Sequence, residues 1–524
     1  MIGRLRLFYP FLFIIVPVLT VLTRNPGGST LRDIATLIAV MLVACALIYG
    51  LVALLTRQGW NSPVVPLIVF AGILWFYSYE GLRNLYRIFR STPAPLVLTA
   101  AVVLVLGIAT LALVWWLARR PGYLERVTTF FALTGLFLVA WSAFRITVDQ
   151  LGARKAVGES RLAKRLSVPI TQAGQPPSGG RRDIYLVILD EYANSDVLRE
   201  HFGFDNRQFL DSLRQLGFTV PREVRSNYVH TLLSLPSLLN FSHLTELGDE
   251  LGARNTDPTL PNYLVENNRT AAFLKSRGYE FLFFPSQWWI STGHNRNADW
   301  EFRAWSGLNP AREVSRSDLR RAFISTTPLA LLRRNDAYDA DHVKRTLDAI
   351  AQVPSRKEPT FALAHILNPH YPFVFDAGCR ALRTRFTAGW EQGRREAYIN
   401  QLRCLNSLLL RTVTTLLEQS APAPIILLVG DHGTNSLKYS QANSAEAVSA
   451  SQARERFGAF GAFFLPDGGA SRLSDSVTLV NVVPAVLNHY FGAGVQRAPD
   501  RLYMSLEQTP YLFAEVDQAA LVQR

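Results

Sequence analysis

Asp431-His432-Gly433 stands one glycine beyond the apolar run 425–429, and Asp190-Glu191 closes a second apolar run, Ile184–Leu189. Carboxylate and imidazole are ligands for divalent metals, and a single His among acids places zinc or manganese ahead of magnesium or calcium. Two acids after a strand could instead cap a helix and favour its first turn. The Asp-His pair at the end of another strand tips the reading to a metal. A metal does not choose a reaction, so a nucleophile is needed. Thr231, in Val229-His230-Thr231-Leu232-Leu233-Ser234-Leu235-Pro236, lies about forty residues after the acidic pair. A hydroxyl is a weak nucleophile at its free pKa and requires a base or a metal; Asp190, Asp431 and His432 would supply the metal. The bland role for Thr231 is a helix cap. The two roles are compatible, because a helix N-terminus also offers N–H donors to a phosphoryl oxygen. His230 is expected to face away, since adjacent side chains diverge. His365 either fills the core at a strand end or faces the site.

These residues need a frame. Strand patterns fall at Ile184–Leu189, 281–284, 361–364, 425–429 and 462–465, and helical patterns at 206–216, 262–277, 339–351, 395–418 and 477–490. Such alternation predicts an α/β domain with a mostly parallel sheet covered by helices on both faces. Sites of open α/β folds lie in the crevice beyond the carboxyl ends of the strands, where both acidic motifs fall.

Ahead of this domain the chemistry changes. Residues 1–150 hold 12 Arg, no Lys and 4 acids, whereas the rest holds 42 basic and 37 acidic residues. The basic excess flanks apolar runs instead of marking one soluble face, which argues for a membrane and against nucleic acid. Five runs, 8–23, 34–55, 64–79, 96–118 and 127–144, predict a five-helix transmembrane domain over 1–148, the first and third being short for the ~20 residues a span needs. Arg4 and Arg6 precede the first run, but no small-residue cleavage site follows it, so it reads as a span and not as a signal peptide. Arg residues divide almost evenly between the two sides, a weak vote for an inside N-terminus. Residues 149–182 form a linker whose basic, amphipathic first half suits a surface-lying helix, and 183–524 form the catalytic domain. Cys379 and Cys404 could pair in an oxidising compartment, although sequence separation does not report Cα distance.

The ordered set of strand-Asp190, Thr231-x-x-Ser234-x-Pro236, His365-x4-His370-x-Pro372 and Asp431-His432-Gly433 resembles the extracytoplasmic domain of the alkaline phosphatase and sulfatase superfamily. With five spans ahead of it, the chain is similar to that superfamily's membrane-anchored phosphoethanolamine transferases and lipoteichoic acid synthases. The resemblance implies Thr231 as catalytic nucleophile. It implies Asp190, Thr231, Asp431 and His432 as ligands of one divalent ion, with Glu191 as a further candidate. It implies substrate contacts from His370 and His365, and more loosely from Trp288, Trp289, His294 and Arg296. It further implies a phospholipid head-group donor, a glycan or lipid acceptor, and a multi-pass protein of the bacterial inner membrane with its catalytic domain outside. The chain departs from the phosphoethanolamine enzymes at Thr434, where they carry Glu, and in lacking cysteines around the nucleophile. It departs from the synthases at Asp190, where they carry Glu. Cys379-Arg380-Ala381-Leu382-Arg383 fits the formylglycine signature of sulfatases, yet stands far downstream of the place where Thr231 is found.

Overall fold

The computed structural model describes residues 2–24, 31–60, 62–89, 92, 94–171, 181–286, 292–303, 323–324, 326–332, 336–382 and 392–522. The chain divides into two compact units, one of Met1–Arg154 with Gly307–Arg333 and one of Lys155–Ser306 with Arg334–Arg524.

The first unit is helical: α1 (Ile2–Arg24), α2 (Leu31–Thr56), α3 (Val64–Tyr77), α4 (Tyr79–Phe89), α5 (Pro95–Ala118) and α6 (Pro121–Glu159). Prolines open α5 and α6, where a missing N–H costs nothing. Four helices are long and apolar enough to cross a membrane, and a fifth span exists if α3 and α4, bent by 45° at Ser78, count as one. The five spans expected are therefore four, or five with a broken one. The break has a sequence cause: after Tyr79 the chain reads Glu80, Arg83 and Arg87, so α4 has one polar face and cannot continue an apolar span. Ile14, Val18, Leu37, Met41, Cys45, Val69 and Ile73 form the unit's main core.

The second unit is built on a six-stranded sheet. In chain order its strands are β1 (Ile184–Leu189), β3 (Glu280–Phe284), β4 (Trp300–Glu301), β5 (Thr360–Ile366), β6 (Ile425–Gly430) and β8 (Gly461–Phe464), in spatial order β4-β3-β5-β1-β6-β8. All pairings are parallel except β6 with β8. β1 is central and divides its side chains strictly: Tyr185, Val187 and Leu189 enter one core, Ile184, Leu186 and Ile188 the other. Burial on both faces is why these strands read as unbroken apolar runs. A small sheet of β2 (Glu223–Arg225), β7 (Gly458–Ala459) and β9 (Ser476–Thr478), and a hairpin of β10 (Tyr503–Leu506) and β11 (Thr509–Glu515), complete the strands among the described residues.

Three expectations change. The helix expected over 262–277 is two, α12 (Thr259–Glu266) and α13 (Arg269–Ser276), because the Asn268 side chain caps the second by accepting from the Ala271 amide at 2.8 Å. The pattern at 477–490 starts in β9, passes through a 3-10 turn at Leu479–Asn481 and becomes α-helical from Val482. The amphipathic start of the linker turns its apolar side chains into a core of the second unit. α6 runs on to Glu159, Ser160 caps α7 (Arg161–Leu166), and Leu162 and Leu166 are buried against Tyr228, Leu233 and Leu244.

Candidate active site

Register brings the chemistry together. Leu189 pairs with Ile366 of β5 and with Gly430 of β6, so three parallel strands end level. Asp190 and Asp431 follow the ends of β1 and β6, and His365 is the penultimate residue of β5. The Asp190 amide donates to the Ile366 carbonyl at 3.0 Å, prolonging the ladder by one residue. Thr231 is the first residue of α10 (Thr231–Asn240), after His230 in extended conformation. The Ser234 hydroxyl donates to the Tyr228 carbonyl at 2.9 Å and fastens that first turn. Gly433 is there for space: a Cβ would stand 2.0 Å from the Glu455 carbonyl oxygen.

Asp190, His365 and Asp431 each offer a ligand atom within 4.8 Å of the others'. Asp190 Oδ1, Asp431 Oδ2 and His365 Nε2 are buried and have no hydrogen-bond partner among the described residues, which is costly unless something else satisfies them. His432 Nε2 is 3.2 Å from Asp431 Oδ2, 4.0 Å from Asp190 Oδ1 and 3.1 Å from Thr231 Oγ1. On the far side of the His365 ring, Nδ1 is 2.6 Å from Thr292 Oγ1. If Nδ1 donates there, Nε2 turns its lone pair to the acids, the arrangement that orients histidine ligands. Two carboxylates with one or two imidazoles form a donor set suited to a divalent cation, and the residues fit such an ion.

The electrostatics agree. Burial, then the charges of Asp431 and Glu191, hold Asp190 well above the usual carboxylate range. Burial raises Asp431 to about 6, opposed by hydrogen bonds from the Thr231 hydroxyl and the Glu191 amide. Burial also raises Glu191 to about 7 against the pull of Arg456. It lowers His365 to about 3 and His370 to about 4, and puts His432 well below its ordinary value, so all three rings are neutral at pH 7. Three carboxylates gather beside the guanidinium of Arg456, with Arg394 adding to the pull on Glu191, and a divalent cation among them would favour their ionised forms.

Arg456 and Glu455 carry no signal in the sequence. They sit near the end of a helix, Ala450–Phe457, without a motif of their own. Arg456 is buried and joins three segments: Nε donates to the Val229 carbonyl at 2.8 Å, Nη1 to the Gly433 carbonyl at 2.6 Å and to Glu191 Oε1 at 3.3 Å. Glu191 is thereby turned to a guanidinium. Its neighbour Glu455 accepts from the Thr434 and Ser436 hydroxyls at 2.6 Å each and from the Ser436 and Leu437 amides at 2.7 and 2.9 Å. That one carboxylate shapes the whole turn after Asp431-His432.

The remaining sequence candidates separate. His370 lies beside the cluster, its amide donating to the Asp190 carbonyl at 3.1 Å and its Nε2 3.9 Å from Glu191 Oε2. Gln401, on the long helix Gln392–Gln419, holds this loop by donating to the Pro369 and His370 carbonyls at 3.0 Å each. His294 and Arg296 are not brought to the cluster. They pair with Glu301 on the edge strand β4 and with Glu266, at 2.6 and 2.7 Å. Trp288 and Trp289 lie outside the described residues. His230 turns its ring to the Ser505 carbonyl and the Tyr439 hydroxyl, away from Thr231. Cys379 forms a disulfide with Cys404, their Cα atoms 5.0 Å apart, and so has no free thiol for formylglycine.

A parallel α/β sheet presenting buried acids, imidazoles and a helix-opening hydroxyl beyond its strand ends defines a metal-site enzyme fold. The sulfatase family model matches residues 182–471, more than half of the chain, and the chain belongs to that family as a membrane-anchored member of the alkaline phosphatase and sulfatase superfamily. Among solved structures it is similar to the C-terminal periplasmic domain of EcEptC from Escherichia coli (14% identity, 68% of this chain and 97% of that one, TM-score 0.45). It is also similar to the integral membrane protein lipooligosaccharide phosphoethanolamine transferase A (EptA) from Neisseria meningitidis (14% identity, 93% and 95%, TM-score 0.39). A third similar structure is a 2-O GAG sulfatase (14% identity, 61% and 72%, TM-score 0.38). None of the curated proteins compared matches the chain.

Proposed function

We propose that this protein is a metal-dependent transferase. It moves a phospholipid head-group phosphoryl unit, phosphoglycerol or phosphoethanolamine, by way of Thr231 to a hydroxyl of a glycan or lipid acceptor. The observation that carries the reading is Thr231 Oγ1 at 3.1 Å from His432 Nε2, on the rim of the buried acid and imidazole cluster. Asp190, Asp431, His432 and His365 would hold the ion, zinc or manganese by their donor chemistry, with Thr231 at its edge. When bound, such an ion polarises a hydroxyl and neutralises charge on phosphoryl oxygens.

In the first step Thr231 Oγ forms a bond to phosphorus, the bond from phosphorus to the diacylglycerol oxygen breaks, and diacylglycerol leaves with a proton. The Thr231 proton has an acceptor within reach in the Asp431 carboxylate. In the second step the acceptor hydroxyl attacks phosphorus, and Thr231 Oγ departs and regains its proton. The α10 N-terminus offers amide donors to the oxygens in both steps, and His370 is placed to contact the transferred group. The apolar helices of the first unit suit a multi-pass protein of the bacterial inner membrane, with the catalytic domain on the outer face where donor lipids present their head groups.

Mass spectrometry of the intact protein and of its Thr231 peptide tests the reading, on protein incubated with phospholipid and divalent metal beside Thr231→Ala. The expected result is an adduct on wild type only, its mass naming the group, and a transfer rate in the variant lower by about 10³-fold or more. Release of free phosphoglycerol or phosphoethanolamine without transfer would assign a hydrolase in which water replaces the acceptor. No adduct and unchanged turnover in Thr231→Ala would overturn the proposal.

A further inference from the structure

α3 is short for its place. Its 14 residues rise about 21 Å at 1.5 Å each, against about 30 Å of hydrocarbon. Its last turn is held at mid-depth, because the Tyr77 hydroxyl donates to the carbonyl of Ile14, near the middle of α1, at 2.6 Å. What packs on that end comes from far along the chain. Phe323 and Ile324 are buried in the membrane unit's core, and the Phe323 ring lies 6.0 Å from Tyr77 and 6.5 Å from Phe76.

The sequence around them is equally telling. Arg320-Arg321 and Arg333-Arg334 bracket eleven residues, 322–332, that include no charge: Ala-Phe-Ile-Ser-Thr-Thr-Pro-Leu-Ala-Leu-Leu. Eleven residues cannot cross a bilayer, which takes about 20. An uncharged stretch this short with basic pairs at both ends of its sequence suits a segment that enters and leaves by one face. Backbone in hydrocarbon must satisfy its own polar groups, and several of this segment's are satisfied internally. The Thr327 amide donates to Ile324, the Ala330 amide to Thr327, and the Thr326 and Thr327 hydroxyls to Phe323 and Ile324. Pro328 has no amide to satisfy. A short 3-10 helix, Pro328–Leu332, then sets Leu329 against the core and leaves Leu331 74% exposed.

We infer that residues 323, 324 and 326–332 are a re-entrant membrane element that completes the short third span and turns Leu331 to phospholipid acyl chains. The partner is the bilayer itself. Leu331→Cys, labelled with a bimane fluorophore in the full-length protein in phospholipid nanodiscs, tests this. Native Cys45 is buried and the other two cysteines are paired. Leu47→Cys, on the exposed face of α2, serves as the lipid reference, and exposed Ser471→Cys in the second unit as the water reference. The expected result is quenching at Leu331 by acyl-chain nitroxide lipids within about twofold of Leu47, and quenching by aqueous iodide at least threefold weaker than at Ser471. Iodide quenching equal to that at Ser471, with no response to the lipid quencher, would overturn the inference. The same would follow if the Leu331 label responded identically in nanodiscs made with and without quencher lipid.

Discussion

Arg456 is the residue whose replacement separates charge from geometry. Its fork ties Val229, two residues before the nucleophile, to Gly433, one residue after a proposed ligand, and to Glu191. Removing one member of a buried pair leaves the other charge unpaired, at a cost of about 3–5 kcal/mol. Arg456→Ala should therefore lower the melting temperature steeply. Arg456→Lys keeps the cation without the fork, so it should fold, yet lose at least tenfold in kcat with little change in KM. Steady-state kinetics and a thermal melt check both. Asp431→Asn should do the reverse: it abolishes metal binding but removes a carboxylate that burial holds above its ordinary range, so the metal-free variant should melt higher than metal-free wild type. pH acts through the same group. A carboxyl raised in the folded state contributes stability that is present at low pH and lost as pH climbs through about 6. The metal-free protein should lose this contribution between about pH 4 and 6. Metal binding needs the ionised form and should weaken about tenfold per pH unit per displaced proton as pH falls below about 6. Calorimetric titration at pH 5.5 and 7.5 should show the stronger binding at the higher pH, and the metal-induced rise in melting temperature should be larger there too.

At the scale of elements, the Cys379–Cys404 bridge joins the segment after the His370 loop to the helix that carries Tyr398 and Gln401, closing a separation of 25 residues. A loop of that size is worth about 3–4 kcal/mol in the chain-entropy account. Cys404→Ser should lower stability by that order in denaturant titrations, and should raise KM more than it lowers metal affinity, since His370 moves with the loop and Asp190 with the sheet. What could be read from the chain alone follows the same division. β1 and β6 were legible because a central parallel strand is apolar on both faces, so the acids and Thr-led helix that end such elements stand out. Arg456 and Glu455 were not, because a residue that works by reaching three backbone segments leaves no periodic trace. His365 was ambiguous for a related reason: a strand-end histidine can fill a core or face the acids, and the contact of its other nitrogen with Thr292 is made by a residue far away in sequence. The bend in the third span was not legible, because hydropathy alone cannot see that its helix breaks at Ser78.

At the scale of the whole molecule, the two units are interleaved, the chain passing between them at three points, after Arg154, Ser306 and Arg333. A fragment begun at Lys155 to obtain a soluble enzyme would still contain Phe323, Ile324, Leu329 and Leu331, stripped of the helices that cover the first three. Such a fragment should aggregate, and joining residue 306 to residue 334 should restore a monodisperse profile on size-exclusion chromatography. Interleaving also sets an order in time. The six helices α1 to α6 emerge from the ribosome first, yet the residues packed against the end of α3 follow roughly 160 positions behind α6. At about 5–20 residues per second, the membrane unit waits on the order of ten seconds for its last piece. Most of β1 through β4 has been delivered by then, so the first unit cannot finish folding until much of the second has been made.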